Sequence, residues 1–387
     1  MTQRDVVIIG GGIAGMSAGA HLADAGLSVV LIEAEPTLAY HTTGRSAAQY
    51  IENYGNDTVR RLTLASRSLL ESPPEEFGDG SVLGPRPLLK VGREDRVDEL
   101  AAEVVEAKEL VPSTEFIDGD TARSILPVLR DDIAGAFYEP LSMDIDVATL
   151  HQIYVRWFRA RGGEIRTSSA VTALRPSGDG WSVSTGSETI DAGVVVNAAG
   201  AWGDRLAELA GLSPLGLHPL RRTVAIAAIP DHYDTTHWPL TSFEPADGPM
   251  RAYAKPEPGG LLVSPADETP SEPCDAKPEE LDVASGIATL GEWTTLDVRH
   301  VRSTWAGLRT FTSDRTPVSG FASDSPGFFW LVGQGGYGIH TSEALAQAAR
   351  AHITGEPFPR SLTDVGLTAA DIAADRPTMT GPLIPGH

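Results

Sequence analysis

The chain has 387 residues, of which 41% are hydrophobic and 21% charged, with a formal net charge of −22 and a single cysteine, Cys274. That length exceeds one average domain, and the apolar content is enough for a sizeable core. The acidic balance argues against nucleic acid or an anionic membrane surface as partners, and one cysteine excludes both an internal disulfide and a cysteine-based metal site.

The first predicted element is a strand over residues 6–9, four apolar residues of the kind buried in a parallel sheet. GGGIAG follows at 10–15, so Gly10, Gly12 and Gly15 fall on the G-x-G-x-x-G spacing. Gly10 would make the tight turn, Gly12 would let backbone approach a pyrophosphate, and Gly15 would let the next helix pack closely. That helix, over 13–25, would aim its first N–H groups at phosphates. Residues 28–32 read as a second buried strand closed by Glu33, whose carboxylate can accept from ribose hydroxyls. A lone glycine fingerprint is weak. Set between strand, helix and acidic residue it points to a bound dinucleotide, without separating FAD from NAD.

The loop 35–48 carries HTTGRSAA, small and hydroxylic residues that suit a flat ligand; on composition alone it is equally a surface loop. A helix is predicted over 57–70, capped by Asn56 or Asp57, then a strand over 88–91 after a Pro-rich turn. Helices over 96–110 and 119–126 and a strand over 134–139 follow. Asp146 caps a helix reaching 161, and Gly162 and Gly163 end it before a strand over 164–171 and a hairpin over 173–185. Residues 194–199 form another apolar strand, then a small-residue turn and a helix to 209. Strands over 220–229, 251–254 and 260–264 suggest a mostly antiparallel sheet, and 278–291 is helical. Residues 328–332 are a buried strand, followed by GQGGYGIH and a helix to 353; the proline-rich tail from 356 wraps the surface.

The parallel-strand pieces are scattered along the chain. The expected fold is α/β (α+β overall): a discontinuous Rossmann-like nucleotide domain over 1–80, 145–215 and 305–387, with an inserted, mostly antiparallel substrate domain over 81–144 and 216–304. No leader pattern and no apolar run of membrane-spanning length precede or interrupt these elements, so the expected location is cytoplasmic. The ten histidines form no H-x-x-x-H pair and no G-x-S-x-G occurs, so no metal site and no hydrolase chemistry is expected.

Together with the fingerprint, VVVNAAGAW at 194–202, TWAGLR at 304–309 and GQGGYG at 333–338 make the chain resemble the FAD-dependent D-amino acid oxidase/dehydrogenase (DAO) superfamily, and within it the bacterial D-arginine dehydrogenases. HTTGRSAA at 41–48 and the stretches 123–129 and 216–222 share the likeness, which spans nearly the whole chain. The resemblance implies FAD, held non-covalently because Cys274 does not match the cysteine of members with covalent flavin. It implies Gly10, Gly12, Ile13, Ala14, Gly15, Glu33 and Ala34 for the ADP half, and Val171 for adenine. It implies Thr43, Gly44, Arg45, Ser46, Ala47 and Ala48 along the isoalloxazine. Ala198, Ala199, Gly200, Trp202, Gly307, Gly335, Gly336, Tyr337, Gly338 and Ile339 complete the cofactor set. Residues 335–339 would open the last long helix and turn its positive end to the flavin.

The reaction so implied is oxidative deamination of a D-amino acid: hydride leaves Cα for flavin N5, and the imino acid is hydrolysed to a 2-oxo acid and ammonia. Arg222 and Arg309 match the family's carboxylate-binding arginines, with Arg221 a rival for the first. Tyr54 and Tyr253 match tyrosines that reach the substrate, and Gln49, Ile51, Leu88, Gly307, Gln334 and Gly335 match its pocket. Two departures stand out. Leu88 replaces a glutamate that pairs with the substrate guanidinium, so neutral, apolar D-amino acids are expected, and Leu88→Glu should raise relative activity on D-arginine. Glu52 and Lys90 are the nearest charges that could alter this preference. Gln49 replaces a histidine, which should remove one ionisation near about pH 6–7 from the rate profile. The alternatives are oxidation of a secondary amine such as sarcosine, or of a 2-hydroxy acid, and, in a different class, a dinucleotide-binding redox sensor without turnover. The electron acceptor, whether a quinone, a respiratory carrier or O2, is left open.

Overall fold

The computed structural model describes residues 3–78, 80–246 and 248–385. Residues 1, 2, 79, 247, 386 and 387, which fall inside the expected domain ranges, lie outside the described residues. The strand Arg4–Ile9 is the centre of the first sheet, flanked in parallel by Val29–Ile32 and Thr189–Asn197. Glu164–Arg166 extends the parallel array beyond Val29–Ile32, and Phe328–Val332 extends it beyond Thr189–Asn197. Val318–Phe321 and the hairpin Val171–Ser177/Gly180–Thr185 add antiparallel edges.

Alternation explains why these strands are apolar throughout. Val6, Ile8, Val29 and Leu31 face a layer built from helices Ile13–Asp24, Val147–Ala160 and Ser342–Thr354. Val7, Ile9, Val30 and Ile32 face the opposite core, with Leu206, Trp181 and Trp330. Each strand is covered on both sides, as parallel sheets are. A buried polar group within the helical layer finds partners there: Glu343 takes His21 Nε2 at 2.9 Å and the Tyr154 hydroxyl at 3.1 Å.

Among the described residues the second sheet has nine strands and only one parallel pair, Leu240–Phe243 beside Leu88–Gly92. Its back face packs Leu89, Val91, Ala254 and Val263 against Leu290 and Trp293 of helix Glu280–Trp293. Its front face carries Leu88, Val224, Ile226, Leu240 and Tyr253. Val301–Phe311 runs unbroken along His218–Ala227, so the boundary expected at 304/305 cuts a continuous strand. A small third sheet joins Gln49–Tyr50, Met143–Ile145 and Leu83–Pro85.

Two expected elements differ. The strand expected over 164–171 divides, because Ser168 takes a left-handed φ of 52° and the N–H groups of Ser168 and Ser169 bond the carbonyls of Glu35 and Glu33. The last long helix begins at Ser342, not in the glycine run. Gly333 and Gly335, at φ 76° and 51°, are outside helical geometry, and 334–341 is a series of turns. The helix's first turn carries buried Glu343, a carboxylate that the positive end of a helix favours.

Candidate active site

Close packing at the N-terminal fingerprint admits only glycine. A Cβ on Gly15 would stand 1.9 Å from the Gly10 carbonyl oxygen, and one on Gly10, at φ 116°, would stand 2.3 Å from that of Ala198. Gly12, the N-cap of helix Ile13–Asp24, offers no capping side chain, and the first turn holds no acidic residue. Its leading N–H, of Ile13, bonds the Thr43 hydroxyl at 3.0 Å. Glu33 stands at the tip of Val29–Ile32 and accepts from the N–H of Gly11 at 2.7 Å and of Glu35 at 2.9 Å.

A cleft opens from this crevice toward the front face of the second sheet. Of the expected cofactor residues, Gly12, Ile13, Ala14, Thr43, Arg45, Ser46, Ala47, Ala198, Gly200, Gly307, Gly335, Gly336, Gly338 and Ile339 line it. Gly10 and Gly15 lie beneath, and Glu33 stands at the strand tip. Ala34, Gly44, Ala48, Val171, Ala199 and Trp202 do not line it. Gly44 packs on the Ala39 carbonyl, and Trp202 stacks on His41 at 4.6 Å. Tyr337 is buried, its ring against Tyr54 and Phe311. Thr42, Ala201, Val224, Leu308 and Thr310 also line the cleft and were not expected. Val224 was findable, since it lies two residues beyond Arg222 on one strand face.

Pairing of His218–Ala227 with Val301–Phe311 sets Arg222 opposite Gly307 and Leu220 opposite Arg309. Arg222 and Arg309 therefore project from one face of the sheet, diagonal to each other, with no side chain at Gly307 between them. Arg221 points the other way, where Asp282 holds it at 2.9 Å together with Glu279. Strand alternation turns Arg222, not Arg221, to the face that carries Arg309. Arg309 Nη1 donates to the Tyr54 hydroxyl at 3.0 Å and Nη2 to that of Tyr253 at 3.4 Å. Arg222 donates from Nε to the Asp267 carbonyl at 2.8 Å and from Nη2 to Glu268 at 3.5 Å. Glu268 also pairs with Arg315, so two guanidinium groups share its carboxylate, while the hydrogen-bond partners of Arg309 are the two tyrosine hydroxyls.

These charges tune their neighbours. Burial pushes the Tyr253 hydroxyl up, but the guanidinium groups of Arg309 and Arg222 outweigh it and pull its pKa below the ordinary phenol value. Burial, helped by Arg309, pushes His340 down to about 3, so it is neutral. Among the described residues that line the cleft, two buried side-chain nitrogens lack a partner: Arg222 Nη1 and Gln334 Nε2. Buried donors left open in a cleft await a ligand's acceptors. The glycine crevice, the uncapped helix and these open atoms fit a dinucleotide and a small polar substrate side by side.

Three expected pocket residues lie elsewhere. Gln49 does not line the cleft; its amide donates to the Arg86 carbonyl at 2.7 Å and to Ser142 Oγ at 2.9 Å, inside the small sheet. It therefore has no path to an ionisation of the reaction. Leu88 and Ile51 belong to the apolar cluster that backs Tyr253 and Val224. Leu88 stands directly across from buried Glu139, so Leu88→Glu would set two carboxylates opposite each other instead of supplying a free one. The charges considered as substitutes are both engaged: Glu52 is buried and pairs with Arg67 at 2.7 Å, and Lys90 pairs with Glu103 at 3.3 Å.

Comparison with known proteins adds to this geometry. The family model for FAD dependent oxidoreductases (DAO) matches residues 5–351. Mitochondrial dimethylglycine dehydrogenase of Rattus norvegicus is 28% identical over 223 residues, covering 56% of this chain and 25% of the relative, so the chain spans about a quarter of that protein. Glycine oxidase of Geobacillus kaustophilus (strain HTA426) is 25% identical over 356 residues, covering 88% of this chain and 90% of that one. The crystal structure of glycine oxidase from Geobacillus kaustophilus superposes with a TM-score of 0.80 over 95% of this chain and 99% of that chain, at 22% identity. Likeness to D-arginine dehydrogenases in particular is not among these findings. The chain belongs to the FAD dependent oxidoreductase family, and FAD is its cofactor.

Proposed function

We propose that the protein oxidises the amine of a small α-amino carboxylate, with neutral D-amino acids as the preferred class. The observation that carries this reading is the pair Arg222 and Arg309, placed on one sheet face on either side of the open position at Gly307. A carboxylate seated there would take the free Nη1 of Arg222 and the fork of Arg309, two charge-assisted contacts that fix its orientation. Tyr54 and Tyr253 hold Arg309 and would meet the substrate's polar end. Tyr253 contributes a hydroxyl whose proton is held less tightly than an ordinary phenol's, suited to exchanging a proton with the amine. The hydride-accepting chemistry is what FAD supplies when bound, in the crevice at Gly12 and along 43–48, without a covalent link. Oxidation of a primary amine would give an imino acid, which water hydrolyses to a 2-oxo acid and ammonia.

Beyond Tyr253 the wall is apolar, with Val224 and Ala47 backed by Ile51 and Leu88. Among the described residues no uncommitted carboxylate stands there, and an unpaired buried guanidinium costs about 3–5 kcal/mol. D-Arginine and D-lysine are therefore expected to be slow. A second reading is oxidation of an N-alkylated glycine. The curated relatives favour it, because they carry the names dimethylglycine dehydrogenase and glycine oxidase.

Anaerobic mixing of the holoprotein with D- and L-amino acids, sarcosine and N,N-dimethylglycine, followed by flavin absorption, separates the readings. Bleaching by neutral D-amino acids with slow D-arginine supports the first, and bleaching by the N-methyl glycines alone selects the second. Fast bleaching by D-arginine would overturn the apolar-wall argument. No bleaching by any amine would sink both readings and leave hydroxy acids or a sensor role.

A further inference from the structure

Glu139 lies outside the cleft at the end of strand Gly135–Glu139, and it is 1% exposed. One of its carboxylate oxygens accepts the backbone N–H of Glu52 at 2.9 Å, and the other accepts Asn53 Nδ2 at 2.9 Å. Both donors belong to the turn 51–54, closed by a bond from the Tyr54 N–H to the Ile51 carbonyl. The same turn delivers the Tyr54 hydroxyl to Arg309. We propose that Glu139 is a positioning residue for substrate capture: its carboxylate fastens the turn 51–54 to the substrate sheet and so fixes the place where Tyr54 meets Arg309. The proposal rests on the reading of Arg309 as a carboxylate ligand.

An ionised acceptor holds N–H donors more tightly than a neutral one, so the grip on the turn depends on the charge of Glu139. The groups that face it come from two sides. The turn presents Glu52, whose charge Arg67 takes, and Asn53, whose amide oxygen accepts from Arg60 and whose nitrogen also bonds Thr114. The neighbouring strand presents Leu88 directly across and Lys90 two residues on. Lys90 is drawn toward Glu103 and Glu244. Burial dominates this environment and pushes the Glu139 carboxyl up to about 7, against the opposing pull of the Asn53 and Glu52 hydrogen bonds. The two effects oppose each other: the bonds from the turn favour the ionised carboxylate, and the burial that comes with the docked turn disfavours it.

Benzoate is a suitable probe, since its own carboxyl is ionised. Its dissociation constant would be read from the flavin spectrum of the holoprotein at pH 8. Hydrogen–deuterium exchange of the peptide covering 50–56 would be measured in parallel. Glu139→Gln should lose about tenfold, the size of one lost bond to a charged acceptor. Asn53→Ala, which leaves Glu139 in place, should weaken binding in the same direction, and the double variant should be no weaker than Glu139→Gln alone. Exchange at 50–56 should accelerate in each variant. Wild-type affinity in Glu139→Gln, or fully additive effects in the double variant, would overturn the proposal. If benzoate binds no form, the reading of Arg309 fails, and the exchange measurement decides on Glu139: unchanged protection in Glu139→Gln rejects it.

Discussion

Arg222 and Arg309 reach the cleft under different constraints. Among the described residues Arg309 has hydroxyl partners and no ion pair, whereas Arg222 shares Glu268 with Arg315. Arg309 should therefore dominate carboxylate binding. Arg309→Lys keeps the charge but loses the fork that spans Tyr54 and Tyr253, and KM should rise by about 100-fold, the size expected for a charge-assisted pair, with flavin content unchanged. Arg221→Ala, one residue from Arg222 but facing Glu279 and Asp282, should leave kcat/KM within about threefold, as a surface pair would. Steady-state kinetics on the best substrate from the panel checks both, and equal losses at 221 and 222 would contradict the strand register. At this scale the sequence was legible where a motif carried the residue, as at Arg309 within TWAGLR. It was not legible at Gln49, because what turns its amide to Arg86 and Ser142 is a strand pairing with Asp144 and Met143 that lies far away in the chain.

Elements with long apolar or capped patterns stood out, and short ones did not. Asn56 caps helix Asp57–Glu71 by accepting the Val59 N–H at 3.0 Å, and Asp146 caps Val147–Ala160, as their sequence positions indicate. Leu240–Phe243 and Met143–Ile145 carry no periodic signal of their own; each exists because neighbouring strands offer a ladder. The C-terminal tail wraps the surface as its prolines suggested, but its anchor is an ion pair. Arg376, 7% exposed, donates to Asp314 from Nε at 2.7 Å and from Nη2 at 2.8 Å. Burial pushes the Asp314 carboxyl up, yet the hydrogen bonds from Arg376 and Thr378 and the Arg376 charge hold it well below the usual carboxylate range. A depressed folded pKa adds stability that is present above the unfolded carboxylate value, about 3.9, and is lost as pH falls through the folded value. Arg376→Ala strands the buried carboxylate and should cost about 3–5 kcal/mol at pH 7. Thermal melts from pH 7 downward should show the gap to wild type closing below about pH 4, where the unfolded-state carboxyl protonates. A gap that stays constant into acid would mean the loss comes from packing rather than from the pair.

The two large sheets meet along a seam that the chain crosses several times, and the cofactor crevice lies on it. The loop 42–48 belongs to the nucleotide side, yet the Thr42 hydroxyl donates to the Leu308 carbonyl at 2.7 Å, and the Trp305 indole donates to the Arg45 carbonyl at 3.0 Å. Arg45 Nη1 donates to the carbonyls of Ala306 at 2.9 Å and Ala276 at 3.1 Å, and its other nitrogen pairs with Asp275. The scattered parallel strands made a discontinuous nucleotide fold legible in the sequence. The seam was not, since every contact in it joins residues more than two hundred positions apart. Its consequence is that FAD affinity and the union of the sheets are one equilibrium: a ligand bound only by the folded form adds about 2.7 kcal/mol at a hundredfold excess over its dissociation constant. Arg45→Ala removes three backbone and side-chain contacts across the seam. It should weaken FAD binding by about tenfold, one charge-assisted bond's worth, and narrow the difference in melting temperature between holoprotein and apoprotein. Flavin fluorescence during titration of the apoprotein, with paired melts, checks this. Because Cys274 is exposed with its thiol toward Ser271, all of the flavin should also leave the protein on acid precipitation, so that the titration is reversible. An unchanged FAD dissociation constant with an unchanged melting gap would show that Arg45 joins the sheets without feeling the cofactor, and that the seam is structural alone.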